Sequence, residues 1–336
     1  MRGSLASLQQ LAITVGIFAA LLSDAVLANS AGGASNDYWF GIEAWRWMFL
    51  VGLIPSVIYA ILALRIPESP RYLVAKGRLD EAGRVLANVL GSTVEGGQEK
   101  VHEIRETLRR EEKPSLRDLR GSAAGLRPIV WVGILLSVFQ QFVGINVIFY
   151  YSTTLWQAVG FSESDSFLAS VINSLVNVLA TVVAILIVDK VGRKPMLLGG
   201  SAGMVVTLAV MAVAFSQAVI TVVDGEETPN LPGPWGPIAL VAANLYVVAF
   251  AVSWGPVVWV LLGEMFPNWL RAAALSVAAA AQWIANFLIT VSFQSLADIG
   301  LTLAYGLYAL FALLSFFFVS RFVQETKGKE LEEMVG

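Results

Sequence analysis

The sequence has no cysteine and a single histidine, His102, among its 336 residues. Without cysteine the chain cannot form a disulfide framework, a thiolate nucleophile or a cysteine-ligated metal site. One histidine is also too few for a histidine metal cluster. The sequence therefore predicts no metal site and no cofactor.

Charge is scarce as well. Charged residues make up 14% of the chain and hydrophobic residues 57%, whereas about 25% of a soluble domain is charged. A fold surrounded by water could not hide so much apolar surface, so an ordinary soluble enzyme, a disordered chain and a coiled coil are excluded. A net charge of −3 gives no reason to expect nucleic acid as a partner. The composition indicates a membrane protein.

Long apolar runs are abundant. A bilayer span needs about 20 mainly apolar residues, and eight segments meet this requirement. We predict an all-α integral membrane protein with eight transmembrane helices, at residues 5–27, 45–64, 128–156, 166–188, 196–220, 237–262, 272–294 and 302–320.

A polar insert at 65–127 separates the first two spans from the other six and holds about half of the chain's charged residues. Apolar residues recur in it at helical spacing in two stretches, the first of which stops at Gly91. They are Leu79, Ala82, Leu86, Val89 and Leu90, and then Val101, Ile104 and Leu108. We predict a small bundle of amphipathic helices at the membrane surface.

The placement of lysine and arginine predicts the orientation, because these residues are retained on the cytoplasmic side. If both termini are cytoplasmic, every lysine and arginine except Arg46 lies on that side. We therefore predict a multi-pass protein of the cell membrane with both termini inside. A signal peptide beginning at Met1-Arg2 is the alternative. Against it, Gln9 and Gln10 precede the apolar run, which continues past Asp24.

The polar residues within the spans are mostly amides, and a polar side chain in hydrocarbon is costly unless it pairs or faces a cavity. For Asn173 and Asn244 we favour hydrogen bonding between helices. For the remaining clusters we favour a ligand, because an amide offers donors and an acceptor to the hydroxyls of a neutral polyol and an indole offers a flat apolar face. These clusters are Gln140-Gln141 with Asn146, and Gln282 with Trp283.

Two backbone breaks are expected near these amides. Gln140 and Asn146 would lie about 120° apart on an ideal helix, so both can point inward only if the helix breaks, and Gly144 lies between them. Gly255-Pro256 interrupts another span shortly before Trp259. Discontinuous spans are typical of transporter binding sites, although a proline kink that serves packing alone is equally compatible with Gly255-Pro256.

Several motifs follow one another along the chain. They are Pro67-Glu68-Ser69-Pro70-Arg71, Gln140-Gln141-Phe142-Val143-Gly144-Ile145-Asn146, Asp189-Lys190-Val191-Gly192-Arg193-Lys194, Ser253-Trp254-Gly255-Pro256-Val257-Val258-Trp259, Gln282-Trp283 and Gln324-Glu325-Thr326-Lys327-Gly328. Together they resemble the motifs of the major facilitator superfamily sugar porters, most of all the bacterial proton-coupled symporters of pentoses and hexoses. The resemblance covers essentially the whole chain, and Gln324 stands where the family usually has proline.

The resemblance implies a major facilitator fold that lacks its first four helices, because the chain begins at what resembles the fifth. The implied domains are two helices of the N-terminal half at 1–64, a cytoplasmic helical linker at 65–127, a complete six-helix C-terminal half at 128–320 and a cytoplasmic tail at 321–336. The acidic residue of the first helix, on which proton-coupled members depend, has no obvious substitute, since Asp24 lies near the outer end of its span. We expect an incomplete fragment that does not transport by itself.

The resemblance also implies the site residues. Substrate contacts are expected at Gln10, Gln140, Gln141, Asn146, Asn177, Trp259, Gln282 and Trp283. Ile17 occupies a position that carries a second glutamine in the xylose symporter, so the choice of sugar stays open. A salt-bridge cluster that closes the cytoplasmic gate is expected from Glu68, Arg71, Asp189, Arg193, Glu264 and Arg271. Each of these charges could instead be a solvated side chain at the end of a span.

The function implied is transport of a small neutral monosaccharide by alternating access, with a proton as the co-transported partner and the lipid bilayer as the medium. A facilitative sugar carrier is the first alternative. A non-transporting sugar sensor is the second, although the tail after Arg321 offers no room for a signalling domain. A membrane enzyme would require clustered carboxylates, a metal set or an activated nucleophile, and we identify none in the sequence.

Overall fold

The computed structural model describes residues 2–91, 93–110, 116–223 and 226–327. Eight helical stretches among these residues are long and apolar enough to cross a membrane, and they match the eight predicted spans in number and order. They are Ser7–Ala31, Ala44–Arg65, Pro128–Tyr150, Glu163–Val191, Arg193–Phe215, Trp235–Met265, Trp269–Ile299 and Leu301–Phe322.

The chain divides into two compact units. The larger contains Met1–Met48 and Leu116–Gly336, and the smaller contains Phe49–Ser115. This division does not follow the boundaries expected at 64 and 127. Residues 116–127 belong to the larger unit because Leu119 is buried in its main hydrophobic core, and Leu126 packs against that core.

The first two spans are built from three helices. Helix α1 is Arg2–Ala31, α2 is Ala44–Val51 and α3 is Leu53–Arg65. Gly52 separates α2 from α3. A loop with a 3-10 turn at Trp39–Gly41 connects α1 to α2.

Three helices follow among the described residues of the smaller unit, and the second and third contain the two stretches of apolar spacing noted in the sequence. They are α4 (Pro70–Ala75), α5 (Leu79–Leu90) and α6 (Val94–Arg110). Gly91 ends α5 in the left-handed conformation, with φ of 60°, which glycine adopts without steric cost. Their shared core is formed by Leu73, Val74, Ala82 and Val101. The side chains of Leu90 and Leu108 lie outside the described part of the structure.

In its described part the larger unit continues with nine helices, which contribute to its main apolar core. Helix α1 packs against α10, α7 against α14, and α11 against both α12 and α15. The helices are α7 (Pro128–Phe142), α8 (Ile145–Tyr150), α9 (Ser152–Gln157), α10 (Glu163–Val191), α11 (Arg193–Phe215), α12 (Trp235–Val252), α13 (Trp254–Met265), α14 (Asn268–Ile299) and α15 (Leu301–Phe322).

A buried hydrogen-bond chain joins three of these helices. The indole of Trp254 on α13 donates to the hydroxyl of Ser201 on α11 at 2.9 Å. That hydroxyl lies 2.8 Å from the hydroxyl of Ser315 on α15. Gly200 allows the close approach, because a Cβ atom at this position would overlap the Ser253 side chain.

The prediction of a purely α-helical protein is incomplete, because two antiparallel hairpins occur in the larger unit. The first pairs β1 (Arg120–Gly121) with β2 (Gly125–Leu126). The second pairs β3 (Val219–Val223) with β4 (Glu226–Asn230), and Val219 lies opposite Asn230. The predicted span at 196–220 therefore ends early, at Phe215, and the apolar residues that follow continue as a strand.

Candidate functional site

The first predicted break is present at Gly144. Helix α7 ends at Phe142, Gly144 has φ of 86°, and α8 begins at Ile145. The ring of Tyr308 packs against the break so closely that a Cβ atom on Gly144 would lie 2.6 Å from it. The hydroxyl of Tyr246 donates to the carbonyl of Val143 at 2.7 Å. The break is therefore enclosed by aromatic side chains, and a carbonyl that it frees has a partner.

The break brings amides from three helices together. The Nδ2 of Asn146 donates to Oε1 of Gln141 at 2.7 Å and to Oδ1 of Asn286 at 2.8 Å. Thr290 donates to the same oxygen of Asn286 at 3.3 Å. Asn286 was not among the residues expected to contact the substrate. Its position four residues after Gln282 was a usable signal, because residues with this spacing share a helix face.

The second break lies at Ser253, two residues before the predicted one. Ser253 has φ of −127° and ψ of −86° between α12 and α13. Pro256 is the third residue of α13, where the backbone needs no amide hydrogen, so it begins the helix instead of interrupting it. The Nε2 of Gln140 donates to the carbonyls of Trp254 at 2.9 Å and Gly255 at 3.3 Å.

Two predicted substrate residues keep a buried acceptor unused. The Oε1 atoms of Gln140 and Gln282 are buried and have no hydrogen-bond partner among the described residues. An unpaired buried polar atom costs about 1–3 kcal/mol. Gln10 of α1 reaches the same region, since its Nε2 lies 3.6 Å from the Cβ position of Gly255. The break before α13 therefore lies between Gln10 and Gln140.

The other predicted substrate residues have different surroundings. Asn177 is buried and Trp259 is half-buried against the core. Trp283 is 64% exposed although its neighbour Gln282 is buried, so the indole is not enclosed with the amides.

The two amides that we assigned to interhelical bonds do not make such bonds within the described residues. Both amide atoms of Asn173 are buried without a partner. Asn244 donates to the carbonyl of Leu240 in its own helix.

Three of the predicted gate residues meet at one end of the larger unit. The side chain of Arg193 is 6% exposed and binds Glu264 through Nε to Oε2 at 3.0 Å and through Nη2 to Oε1 at 2.7 Å. Nη2 also donates to Oδ1 of Asp189 at 3.1 Å, and Nη1 donates to the carbonyl of Val188 at 3.2 Å. The paired geometry with Glu264 is the strong, bidentate kind.

The segment after α15 completes this cluster. The hydroxyl of Thr326 donates to Oε2 of Glu264 at 2.7 Å. The carboxylate of Glu325 accepts from the backbone N–H groups of Arg193 at 3.0 Å and Lys194 at 2.9 Å. Burial favours a higher pKa for Glu325, but the N–H groups of Lys327, Arg193 and Lys194 stabilise the carboxylate and hold its pKa below the ordinary value.

The other three predicted gate residues have different surroundings. Arg271 donates to the carbonyl of Phe266 at 3.0 Å, and its Nε is buried without a partner among the described residues. Glu68 and Arg71 belong to the smaller unit, where Glu68 accepts from the backbone N–H of Ser69 at 3.0 Å.

Comparison with known proteins identifies the family. A family model described as "Sugar (and other) transporter" matches residues 1–335. The chain belongs to the sugar transporter family. It is 56% identical over 336 residues to a glucose transport protein of Synechocystis sp., which covers 99% of this chain and 70% of that protein. It is 36% identical over 341 residues to a D-xylose-proton symporter of Escherichia coli, which covers 99% and 64%.

Comparison with solved structures supports the same family. The inward open conformation of the xylose transporter XylE from E. coli matches with a TM-score of 0.75 and 34% identity, over 99% of this chain and 65% of that chain. The major facilitator superfamily proton:xylose symporter XylE bound to 6-bromo-6-deoxy-D-glucose matches with a TM-score of 0.71 and 33% identity, over 99% and 66%. This sugar transporter thus spans about two thirds of the length of these relatives, and the resemblance to sugar porters is confirmed.

Two residues of the sugar transporter's charged cluster were missed as site residues. Glu325 and Thr326 stand in the closing motif that we quoted, but we gave neither a role. The signal was a carboxylate placed directly after the last span, within reach of the free N–H groups at the start of another helix.

Proposed function

We propose that this sugar transporter binds one neutral monosaccharide at the amides around Gly144 and Ser253 and takes part in its transport by alternating access. The observation that carries the proposal is the pair of buried, unused acceptors at Gln140 and Gln282. Sugar hydroxyls would donate to both, which would remove the cost of leaving them unpaired. The glucose and xylose named for the relatives support a hexose or pentose substrate.

Binding is tested on the purified chain in nanodiscs by isothermal titration calorimetry with D-glucose, D-xylose and a charged control, D-glucuronate. The proposal requires saturable binding of at least one neutral sugar and none of the glucuronate. Absence of binding for every neutral sugar would contradict it.

We further propose sugar/proton symport, supported by the proton coupling named for the E. coli relative. Facilitative transport is the second candidate, favoured by the Synechocystis relative, whose name mentions no proton. Proteoliposomes with an imposed proton gradient separate the two, because a symporter accumulates sugar above the external concentration and a facilitator only equilibrates it. Absence of uptake would contradict both candidates for this chain acting alone.

We propose that both termini are cytoplasmic and that the cluster of Asp189, Arg193 and Glu264 closes the cytoplasmic end of the pathway. The lysine and arginine distribution supports this orientation. Since the chain has no native thiol, a Cys introduced at Ser35 should react with an impermeant maleimide in intact cells. A Cys introduced at Glu99 should react only after permeabilisation, and the reverse pattern would contradict the orientation.

A further inference from the structure

The loop between α1 and α2 is unusually rich in aromatic residues. Within ten consecutive positions it and the start of α2 carry Tyr38, Trp39, Phe40, Trp45 and Trp47. We call Tyr38, Trp39, Phe40 and Trp47 the loop cluster. None of them is among the residues expected to contact sugar or to close the gate.

The rings of the loop cluster pack on one another. Tyr38 stacks on Trp39 with ring centroids 4.7 Å apart, and Trp47 meets Trp39 nearly edge-on at 5.5 Å. The indole of Trp47 also donates to the carbonyl of Trp39 at 3.3 Å. A backbone hydrogen bond closes the loop at its base, because the N–H of Tyr38 donates to the carbonyl of Ile42 at 2.9 Å. The cluster is therefore an ordered structure and not a loose loop.

Phe40 protrudes from the tip of this structure. Its backbone has φ of 60° and ψ of 23°, a left-handed conformation that is unfavourable for a bulky residue. Its side chain is 91% exposed, and Trp39 beside it is 56% exposed. Burial of the Phe40 side chain within the larger unit therefore does not offset the free-energy cost of this backbone conformation. Strain held at an exposed apolar residue suggests a contact made outside the chain.

The loop cluster lies at the end of a span. Trp47 is the fourth residue of the candidate span Ala44–Arg65, and the ring of Phe40 is 6.3 Å from the ring of Trp47. Phe40 therefore lies close to the start of this span. This is the depth at which lipid headgroups meet acyl chains, where aromatic side chains concentrate in membrane proteins.

A neutral ion pair lies beside the cluster. Arg46 pairs with Glu43 at 2.7 Å, and its guanidinium lies 5.0 Å from the ring centre of Trp45. The pair is neutral as a whole and can lie at the level of zwitterionic headgroups. No separate charged ligand is needed to balance it.

We propose that Trp39 and Phe40 insert into the headgroup and upper acyl region of the leaflet at which α1 ends, and anchor the start of α2 to the bilayer. The partner is the phospholipid surface itself. The proposal does not depend on sugar binding, so it can fail or succeed separately from the proposed function.

Single thiols test the proposal directly, because the chain has no native cysteine. Phe40→Cys carries an environment-sensitive fluorophore in the full chain, reconstituted in phosphatidylcholine vesicles. Ser35→Cys, an exposed position of the same loop, is the matched control. Leu245→Cys, an exposed position ten residues into the span Trp235–Met265, marks the deep acyl region. Each labelled variant is accepted only if its thermal midpoint matches that of the parent chain.

At position 40 we expect phospholipids with a shallow nitroxide to quench most of the emission. Phospholipids with a deep nitroxide should quench less of it, and aqueous iodide should quench little. Position 35 should show strong iodide quenching, and position 245 should be quenched best by the deep nitroxide. Strong iodide quenching at position 40 would overturn the proposal and leave a water-facing aromatic platform. Protection from both quenchers would also overturn it, because the cluster would then be covered by protein.

A second measurement keeps Phe40 in place. Trp39→Phe should reduce the fraction of native tryptophan emission that shallow brominated phospholipids quench, relative to the parent chain. An unchanged fraction would contradict insertion of Trp39.

Discussion

The guanidinium of Arg193 holds both carboxylate oxygens of Glu264, and the hydroxyl of Thr326 donates to one of the same oxygens. A residue at the start of α11, one near the end of α13 and one beyond α15 are thereby joined. Since the side chain of Arg193 is almost entirely buried, its charge is held away from water and depends on the carboxylates that face it.

Arg193→Ala should therefore lower stability strongly. Breaking a fully buried ion pair costs about 3–5 kcal/mol, and because Glu264 is 25% exposed we expect the lower end of that range. Thermal unfolding in detergent measures the effect. Arg271→Ala is the matched control, because Arg271 makes no ion pair with the described residues and should cost less. Equal losses for the two variants would show that the cluster contributes no more than one hydrogen bond.

Gln282→Met should separate binding from stability. The substitution nearly conserves volume and removes a buried acceptor that has no partner among the described residues, so the thermal midpoint without sugar should stay the same or rise. Sugar affinity should fall by about 1–3 kcal/mol, or roughly 5- to 150-fold.

Asn244→Leu is the control for this prediction. It also removes an unpartnered buried oxygen within the described region, but it should leave the sugar affinity unchanged. Isothermal titration calorimetry measures the sugar affinity of both variants. Equal losses of affinity would show that Gln282 is not part of the sugar site.

Gly144→Ala should damage the fold at the first break. An L-residue in the left-handed conformation costs about 1–2 kcal/mol, and the added Cβ would also meet the Tyr308 ring. Gly263→Ala lies within α13 with open space around its Cβ position, and there alanine should stabilise by up to about 1 kcal/mol. Thermal midpoints of the two variants should move in opposite directions. A harmless Gly144→Ala would mean that the break does not need glycine.

Glu325 makes stability depend on pH. Its pKa is lower in the folded protein than its ordinary value of 4.5, so its contribution is fully present above that value and is lost as the pH falls through the folded pKa. Glu325→Gln should therefore lower the thermal midpoint at neutral pH, and the gap to the parent chain should close in more acidic buffer. A gap that stays constant with pH would show that the carboxylate charge is not what attaches this segment.

The sequence predicted features that depend on composition and local geometry. Eight apolar runs gave eight candidate spans, and the angle between Gln140 and Asn146 indicated the break that Gly144 makes. The second break lies at Ser253 and not at the predicted Gly255-Pro256. Proline is tolerated in the first turn of a helix, so Pro256 marks the start of α13 and not the interruption before it. The hairpin at Val219–Asn230 was missed because its first strand is an apolar, β-branched run that continues the composition of α11.

The partners of the amides could not be predicted, because they depend on which helices pack together. Gln140 bonds to carbonyls more than a hundred residues away, and Asn146 bonds to Asn286 on α14. Residue spacing within one helix carries no information on such pairs. For the same reason the sequence could not show that Asn173 would be buried without a hydrogen bond to the described residues, or that Arg271 would bind a carbonyl and not a carboxylate.

The hydrogen-bond chain from Trp254 through Ser201 to Ser315 has a mechanical consequence. Separating these helices would break the bonds from the Trp254 indole to the Ser201 hydroxyl and the Leu197 carbonyl of α11, and the bond between the hydroxyls of Ser201 and Ser315. Inside a membrane, water cannot replace them. We therefore expect helices α11, α13 and α15 to move together in a transport cycle. Bending within the larger unit is then left to junctions outside this group of helices, such as Gly144, whose left-handed residue already separates two helical segments.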